Sequence, residues 1–94
     1  MRDDDFEWDD DKDARNLATH GVSFEAAQLA FGDVFAVVRE DRRRNYGEDR
    51  FILLGMVQER LLAVSYTMRD ERVRIISARF AEPQERRRYH EENS

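Results

Sequence analysis

FILLGMVQERLLAVSYTMRDERVRIISA, residues 51–78, holds three apolar runs separated by two short polar links. The runs are Phe51–Met56, Leu61–Thr67 and Arg72–Ala78. The links are Gln58-Glu59-Arg60 and Arg69-Asp70-Glu71. Runs of this length, rich in β-branched and aromatic residues, read as strands. Links this short leave no room for a crossover, so consecutive runs pair antiparallel as a meander. Toward the N-terminus, Val34-Phe35-Ala36-Val37-Val38 is a fourth strand candidate. It is separated from the second run by the charged segment 39–49 (REDRRRNYGED), in which Asn45-Tyr46-Gly47 supplies turn chemistry.

Upstream of the strands the spacing turns helical. Residues 1–9 read as an extended lead-in with two aromatics. Asp10 or Asp11 is a candidate N-cap for a helix over about 11–19, and Gly21 a left-handed stop. Ser23 caps a second helix over about 24–31, with Val22 at the staple position and Gly32-Asp33 ending it. Pro83 suits the first turn of a last helix over about 83–92. That helix is polar all round apart from Tyr89, so weak docking is expected. The fold class is α+β: two N-terminal helices packed on a four-stranded antiparallel sheet, plus a C-terminal helix. The helices are expected to cover one sheet face. The other face is left open; an exposed concave face lined with basic residues is a natural place for RNA.

The chain has 94 residues, which fits one domain over 1–94. Cysteine is absent, which excludes a disulfide framework and a thiolate metal site. No apolar run approaches 18 residues and no charged-then-apolar leader opens the chain, so a cytoplasmic protein is expected. The formal net charge is −5. Its distribution is uneven: residues 1–38 carry 3 basic and 10 acidic residues, residues 39–94 carry 13 and 11. Arginine outnumbers lysine 15 to 1, and arginine suits bidentate phosphate contacts.

RNA cleavage without a metal needs a group that takes the ribose 2′-OH proton, cations that stabilise the phosphorane, and a proton for the leaving 5′-oxygen. The side chains fit for this work are Lys12, His20, Glu48, Arg50, Arg74, Arg79 and Tyr89. Strict alternation puts Val73, Ile75, Ser77 and Arg79 on one face of the last strand and Arg72, Arg74, Ile76 and Ala78 on the other. Arg74 inside an apolar strand is costly unless its face is wet or its charge is paired. Each candidate also has a plainer role open to it. Arg74 can bridge a neighbouring acid, His20 can cap carbonyls, and Lys12 can be a solvated surface group. Glu48 and Arg50 can pair structurally, and Tyr89 can pack. The run Asp9-Asp10-Asp11 reads as a solvated cap region in preference to a Mg²⁺ site, and no cofactor is expected.

Four blocks in order resemble the BrnT toxins, the ribonuclease halves of type II BrnT/BrnA toxin–antitoxin pairs. The first is Phe6-Glu7-Trp8-Asp9 with Lys12, Asn16 and Leu17. The second is His20 to Ala27, and the third is Gly47-Glu48-Asp49-Arg50 followed by Gly55. The fourth joins Tyr66-Thr67, Arg74 to Arg79, Glu85-Arg86-Arg87 and Tyr89. The resemblance implies a RelE-like fold and an RNA-degrading, growth-arresting activity. It implies a cognate BrnA-type antitoxin whose ribbon-helix-helix part binds DNA, so that DNA is met only through the partner. A hetero-oligomer that can contain a toxin dimer follows, with no membrane partner. Carried over by position, the family's basic and polar residues fall on Lys12, His20, Glu48, Arg50, Arg74 and Arg79. The chain departs from the pattern at Thr19, usually basic, and at Glu82-Pro83-Gln84, commonly Thr followed by basic residues. Both changes remove positive charge or polarity. They keep open a second reading, a catalytically weak or inactive antitoxin-binding module acting in promoter autoregulation.

Overall fold

The computed structural model describes all 94 residues. In chain order it contains β1 (Phe6–Glu7), α1 (Asp10–His20), α2 (Phe24–Leu29), a 3₁₀ turn (Ala30–Gly32), β2 (Val37–Glu40), β3 (Phe51–Val57), β4 (Arg60–Arg69), β5 (Arg72–Phe80) and α3 (Pro83–Glu92). None of the helices is long and apolar enough to cross a membrane.

The sheet has five strands in the order β1-β5-β4-β3-β2, and it is mixed. This corrects the four-stranded antiparallel expectation. The lead-in supplies the fifth strand: Phe6 pairs with Val73 and Glu7 with Arg74, parallel to β5. Two residues show no alternation, so their sequence carries no strand signal. The expected meander forms from β2 to β5. Its two tight turns place Gln58, Glu59, Asp70 and Glu71 at positive φ, between 49° and 67°. Tight hairpins with such turns prefer Asn-Gly or Gly at these positions, so both carry backbone strain.

The first strand of the meander starts later than the 34–38 reading. Val34 and Phe35 are 89% and 59% exposed, because Asp33 turns the chain: its carboxylate accepts from Phe35 N (2.9 Å) and its carbonyl from Ala36 N (3.0 Å). The strand instead takes in Arg39 and Glu40.

Local chemistry fixes the helices. Asp9, one residue before the expected caps, accepts from Asp11 N and Lys12 N and starts α1. Gly21, at φ 72°, ends it by donating to the Leu17 carbonyl. Ser23 Oγ accepts from Ala26 N and starts α2. The second helix tightens into the 3₁₀ turn at Ala30, directly over Gly55. A Cβ at Gly55 would stand 2.5 Å from the Ala30 carbonyl oxygen, so only glycine permits this approach.

Both sheet faces carry a core. On one, Trp8, Val22, Phe24 and Ala27 pack against Leu62, Val64, Tyr66, Ile75 and Ala78. On the other, Ala81 and Tyr89 pack against Ile52, Leu54, Leu61 and Ala63. The second face is therefore half covered, a correction to the open face read from the sequence. The light docking expected of α3 is seen: only Glu85 and Tyr89 of its residues are buried. Tyr89 is buried and donates to Asp33 Oδ2 (2.6 Å), which also accepts from Met56 N (2.8 Å). Burial pushes the Tyr89 hydroxyl up to about 12, assisted by the Asp33 carboxylate. One aromatic with a polar anchor docks this helix, a device that helical periodicity does not reveal.

Asn16 joins α1 to the edge of β5 that β1 leaves unpaired. Its Nδ2 donates to the carbonyls of Ala78 and Val22 (both 2.8 Å), and its Oδ1 accepts from Ala78 N (3.1 Å). The side-chain amide thus stands in for a strand's backbone at Ala78 and closes a sheet edge.

Candidate functional site

The decisive feature lies in β5. Ser77 pairs with Ser65, but Ile75 pairs with Tyr66, so Ile76 is an extra residue, a bulge. Directly opposed residues of an antiparallel pair share a face. Arg79, opposite Ala63, and Arg74, opposite Thr67, therefore lie on the same face. The strict alternation expected from the sequence, which separates them, is corrected. The bulge reverses the register by one residue and brings the two arginines together.

That face is the one α3 half covers. Its uncovered half is polar. Arg50, next to the start of β3, falls in the row of Thr67, Arg74 and Glu7 by continuing the register. Arg39, Ile52, Ser65 and Ser77 form the next row. The row of Leu54, Ala63 and Arg79 follows, at the border of α3. Thus Ser65 and Ser77 form a small, hydroxyl-bearing floor with Arg74 on one side, Arg79 on the other and Arg39 across the sheet. Along the strand the two arginine rows are ~14 Å apart, four residues at ~3.4 Å each.

Each expected arginine has an acid beside it. Arg74 Nη1 donates to Glu7 (2.8 Å) and Arg50 Nε to Glu48 (3.1 Å). Arg79 donates to both oxygens of Glu85 (2.6 and 3.2 Å). The pairs sit at the surface of one face, with the arginine side chains 25–32% exposed. A guanidinium has five N–H groups, so each retains donors for a further anion. The Glu85 hydrogen bonds raise the Arg79 guanidinium's affinity for its proton. Burial pushes the Glu85 carboxyl up, but the bonds from Arg79 and Glu82 N outweigh it and leave it lowered. Arg50 also stacks 4.0 Å over the Tyr46 ring.

Arg39 is a group that the sequence does not single out. It is half-buried, makes no ion pair, and lies near enough to act on the Glu85 carboxylate. The alternation Val37, Arg39 within VVRE is the signal for it, hidden because the apolar run ends at Val38. Nor does the sequence mark Glu7 and Glu85 as partners. Nearby, Asp41 is buried and holds Arg43 through two 2.9 Å bonds, with Tyr46 adding a third contact. The Arg43 hydrogen bond holds the Asp41 carboxyl well below the usual range.

Lys12 and His20 do not join this floor directly. They line a shallow depression of about 200 Å³ on α1 with Arg15, Asn16 and Thr19, and its one apolar wall is the bulge residue Ile76. Tyr89 packs. The acidic run has structural work: Asp9 caps α1 and Asp10 pairs with the N-terminal amine (3.1 Å). Nowhere do three or more His, Asp or Glu side chains gather in a metal-binding group.

A family model described as the ribonuclease toxin, BrnT, of a type II toxin–antitoxin system matches residues 8–85. No curated protein matches the sequence. The matched stretch covers most of the chain, including α1, the bulge and all the basic residues above. The chain belongs to this family of ribonuclease toxins.

Proposed function

From that membership, we propose that the chain is an endoribonuclease that cuts RNA through the ribose 2′-OH without a metal, at the floor formed by Ser65 and Ser77. The observation that carries the reading is the Ile76 bulge, which gathers Arg74 and Arg79 on the face that also holds Arg50 and Arg39. Fixed cations aimed at a phosphorane are usually the largest catalytic contribution. Glu48, held by Arg50, takes the 2′-OH proton. The 2′-oxygen attacks phosphorus while Arg74 and Arg79 stabilise the equatorial oxygens. The 5′-oxygen leaves with a proton from solvent, and a 2′,3′-cyclic phosphate remains. Lys12 and His20 hold RNA along α1. The helix–sheet arrangement supports a RelE-like assignment within a single domain over 1–94. Family membership implies an antitoxin; a BrnA-type partner with a DNA-binding ribbon-helix-helix part, joined in a cytoplasmic hetero-oligomer, fits best. The test is RNA incubated with purified protein in EDTA. The expected products end in 2′,3′-cyclic phosphate, and a 2′-deoxy substitution at the cut resists. Intact RNA at high protein concentration refutes the mechanism.

One observation favours the second reading, an inactive antitoxin-binding module. Arg50, Arg74 and Arg79 each already have a carboxylate within 3.1 Å. Expression of the chain without its partner separates the two: the ribonuclease arrests growth, and the module does not.

A further inference from the structure

We propose that the depression on α1 is a second phosphate seat, which holds the RNA backbone beside the nucleotide being cut. The proposal rests on the ribonuclease reading and extends it to the substrate's length. Lys12, Arg15 and His20 line the depression, Thr19 adds a hydroxyl, and all four are exposed. None of the three basic groups takes part in an ion pair, unlike the arginines of the floor. The acids of the same helix are turned to other work. Asp9 caps it, Asp10 meets the N-terminal amine, and Asp13 accepts from Phe24 N (2.8 Å). Asp11, one turn before Arg15, makes no ion pair with it; Arg15 Nε instead contacts the Asp11 carbonyl at 3.4 Å.

In a chain of net charge −5, three clustered basic groups without an ion pair are a local exception, with Asp9 near enough to act on Lys12 and Arg15. The patch is also rigidly placed, because Asn16 at its base is fixed by three hydrogen bonds to Ala78 and Val22. Lys12 and His20 are eight residues apart, ~12 Å along the helix axis, longer than one phosphate needs. Ile76 places the patch at the free edge of β5, on the strand that also carries Arg74, Ser77 and Arg79. A strand of RNA whose scissile phosphate lies over Ser65 and Ser77 meets these three cations by rounding the free edge of β5 at Ile76. An acidic segment of the antitoxin is the competing occupant. Three basic groups without ion pairs, on the edge of the strand that carries Arg74 and Arg79, favour RNA.

The test uses the full chain and a fully 2′-O-methylated octanucleotide, which binds but is not cut. Lys12→Ala/Arg15→Ala is expected to weaken binding several-fold. It should also lower the slope of log K against log salt by about 1.4, roughly 0.7 for each single-strand phosphate that the variant no longer neutralises. Arg15→Lys keeps the charge and is expected to keep the slope. In cleavage, the double variant should lose at least tenfold more kcat/KM on an octanucleotide than on a dinucleotide, chiefly through KM. An unchanged affinity and salt slope overturns the proposal. So does an equal loss on both substrates, which would place Lys12 at the reacting phosphodiester. RNA binding intact with antitoxin binding abolished also overturns it, and assigns the depression to the partner. If the parent protein cuts no RNA, the ribonuclease reading fails, while the 2′-O-methyl binding arm still judges the seat.

Discussion

Replacing Asn16 should loosen the joint on which the whole site is mounted. Its amide makes three buried hydrogen bonds, to the Val22 carbonyl and to both backbone groups of Ala78. Asn16→Leu fills the space but leaves two carbonyls and one N–H without partners. At the lower end of ~1–3 kcal/mol for each orphaned buried group, the loss is about 3 kcal/mol. For a chain of this size that corresponds to a fall in Tm of roughly 12–24 °C. Asn16→Asp separates the bonds by sign. It keeps an acceptor for Ala78 N but turns an anion toward two carbonyl oxygens, so it should be worse than leucine at pH 7. It should recover as the pH falls and the carboxyl gains a proton to donate. Urea unfolding followed by circular dichroism measures both, with the slope m reporting whether the transition stays cooperative. Losses below ~1 kcal/mol for both variants would refute the edge-closing role. So would an aspartate variant as stable at pH 7 as the asparagine parent.

Gly55→Ala should cost about 1–3 kcal/mol in urea unfolding, because its Cβ meets the Ala30 carbonyl at 2.5 Å. Glu59→Gly and Glu71→Gly should each stabilise by roughly 0.5–1 kcal/mol, since both residues sit at positive φ in tight hairpins; lower Tm values for both would contradict the strained-turn assignment. The Asp41 carboxyl is depressed by Arg43, so the stability it contributes is present above the unfolded value of ~3.9 and lost as pH falls through the lower folded value. Asp41→Asn should therefore lower stability at pH 7 and flatten its decline below about pH 4. An acid limb identical to the parent's would show that this pair does not matter.

Much of the fold is legible in residues 51–78, because short polar links between apolar runs leave room only for antiparallel neighbours. The caps at Ser23 and Gly21 are legible for the same kind of reason: short-range chemistry suffices. Three features are not. β1 has two residues, too few to show a period. The docking of α3 depends on Tyr89 meeting Asp33, a contact between residues 56 positions apart. The Ile76 bulge has no local marker, since no glycine or charge distinguishes it within RIISAR. That last feature matters most for the site. Strict alternation separates Arg74 from Arg79, and only the pairing with β4 shows that they share a face. The candidate residues themselves are readable as basic groups in a resembled pattern. Their partners Glu7 and Glu85 belong to other elements, and nothing in the linear order pairs them with Arg74 and Arg79.

Single-turnover cleavage of RNA by Arg74→Ala and Arg79→Ala, with Arg44→Ala on the exposed loop as a control, tests the shared face most directly. Roughly 100- to 1000-fold slower cutting is predicted for each of the first two, with the control near the parent rate. Parent-like rates for either Arg74→Ala or Arg79→Ala, in folded protein, would contradict the claim that the bulge assembles one phosphate grip.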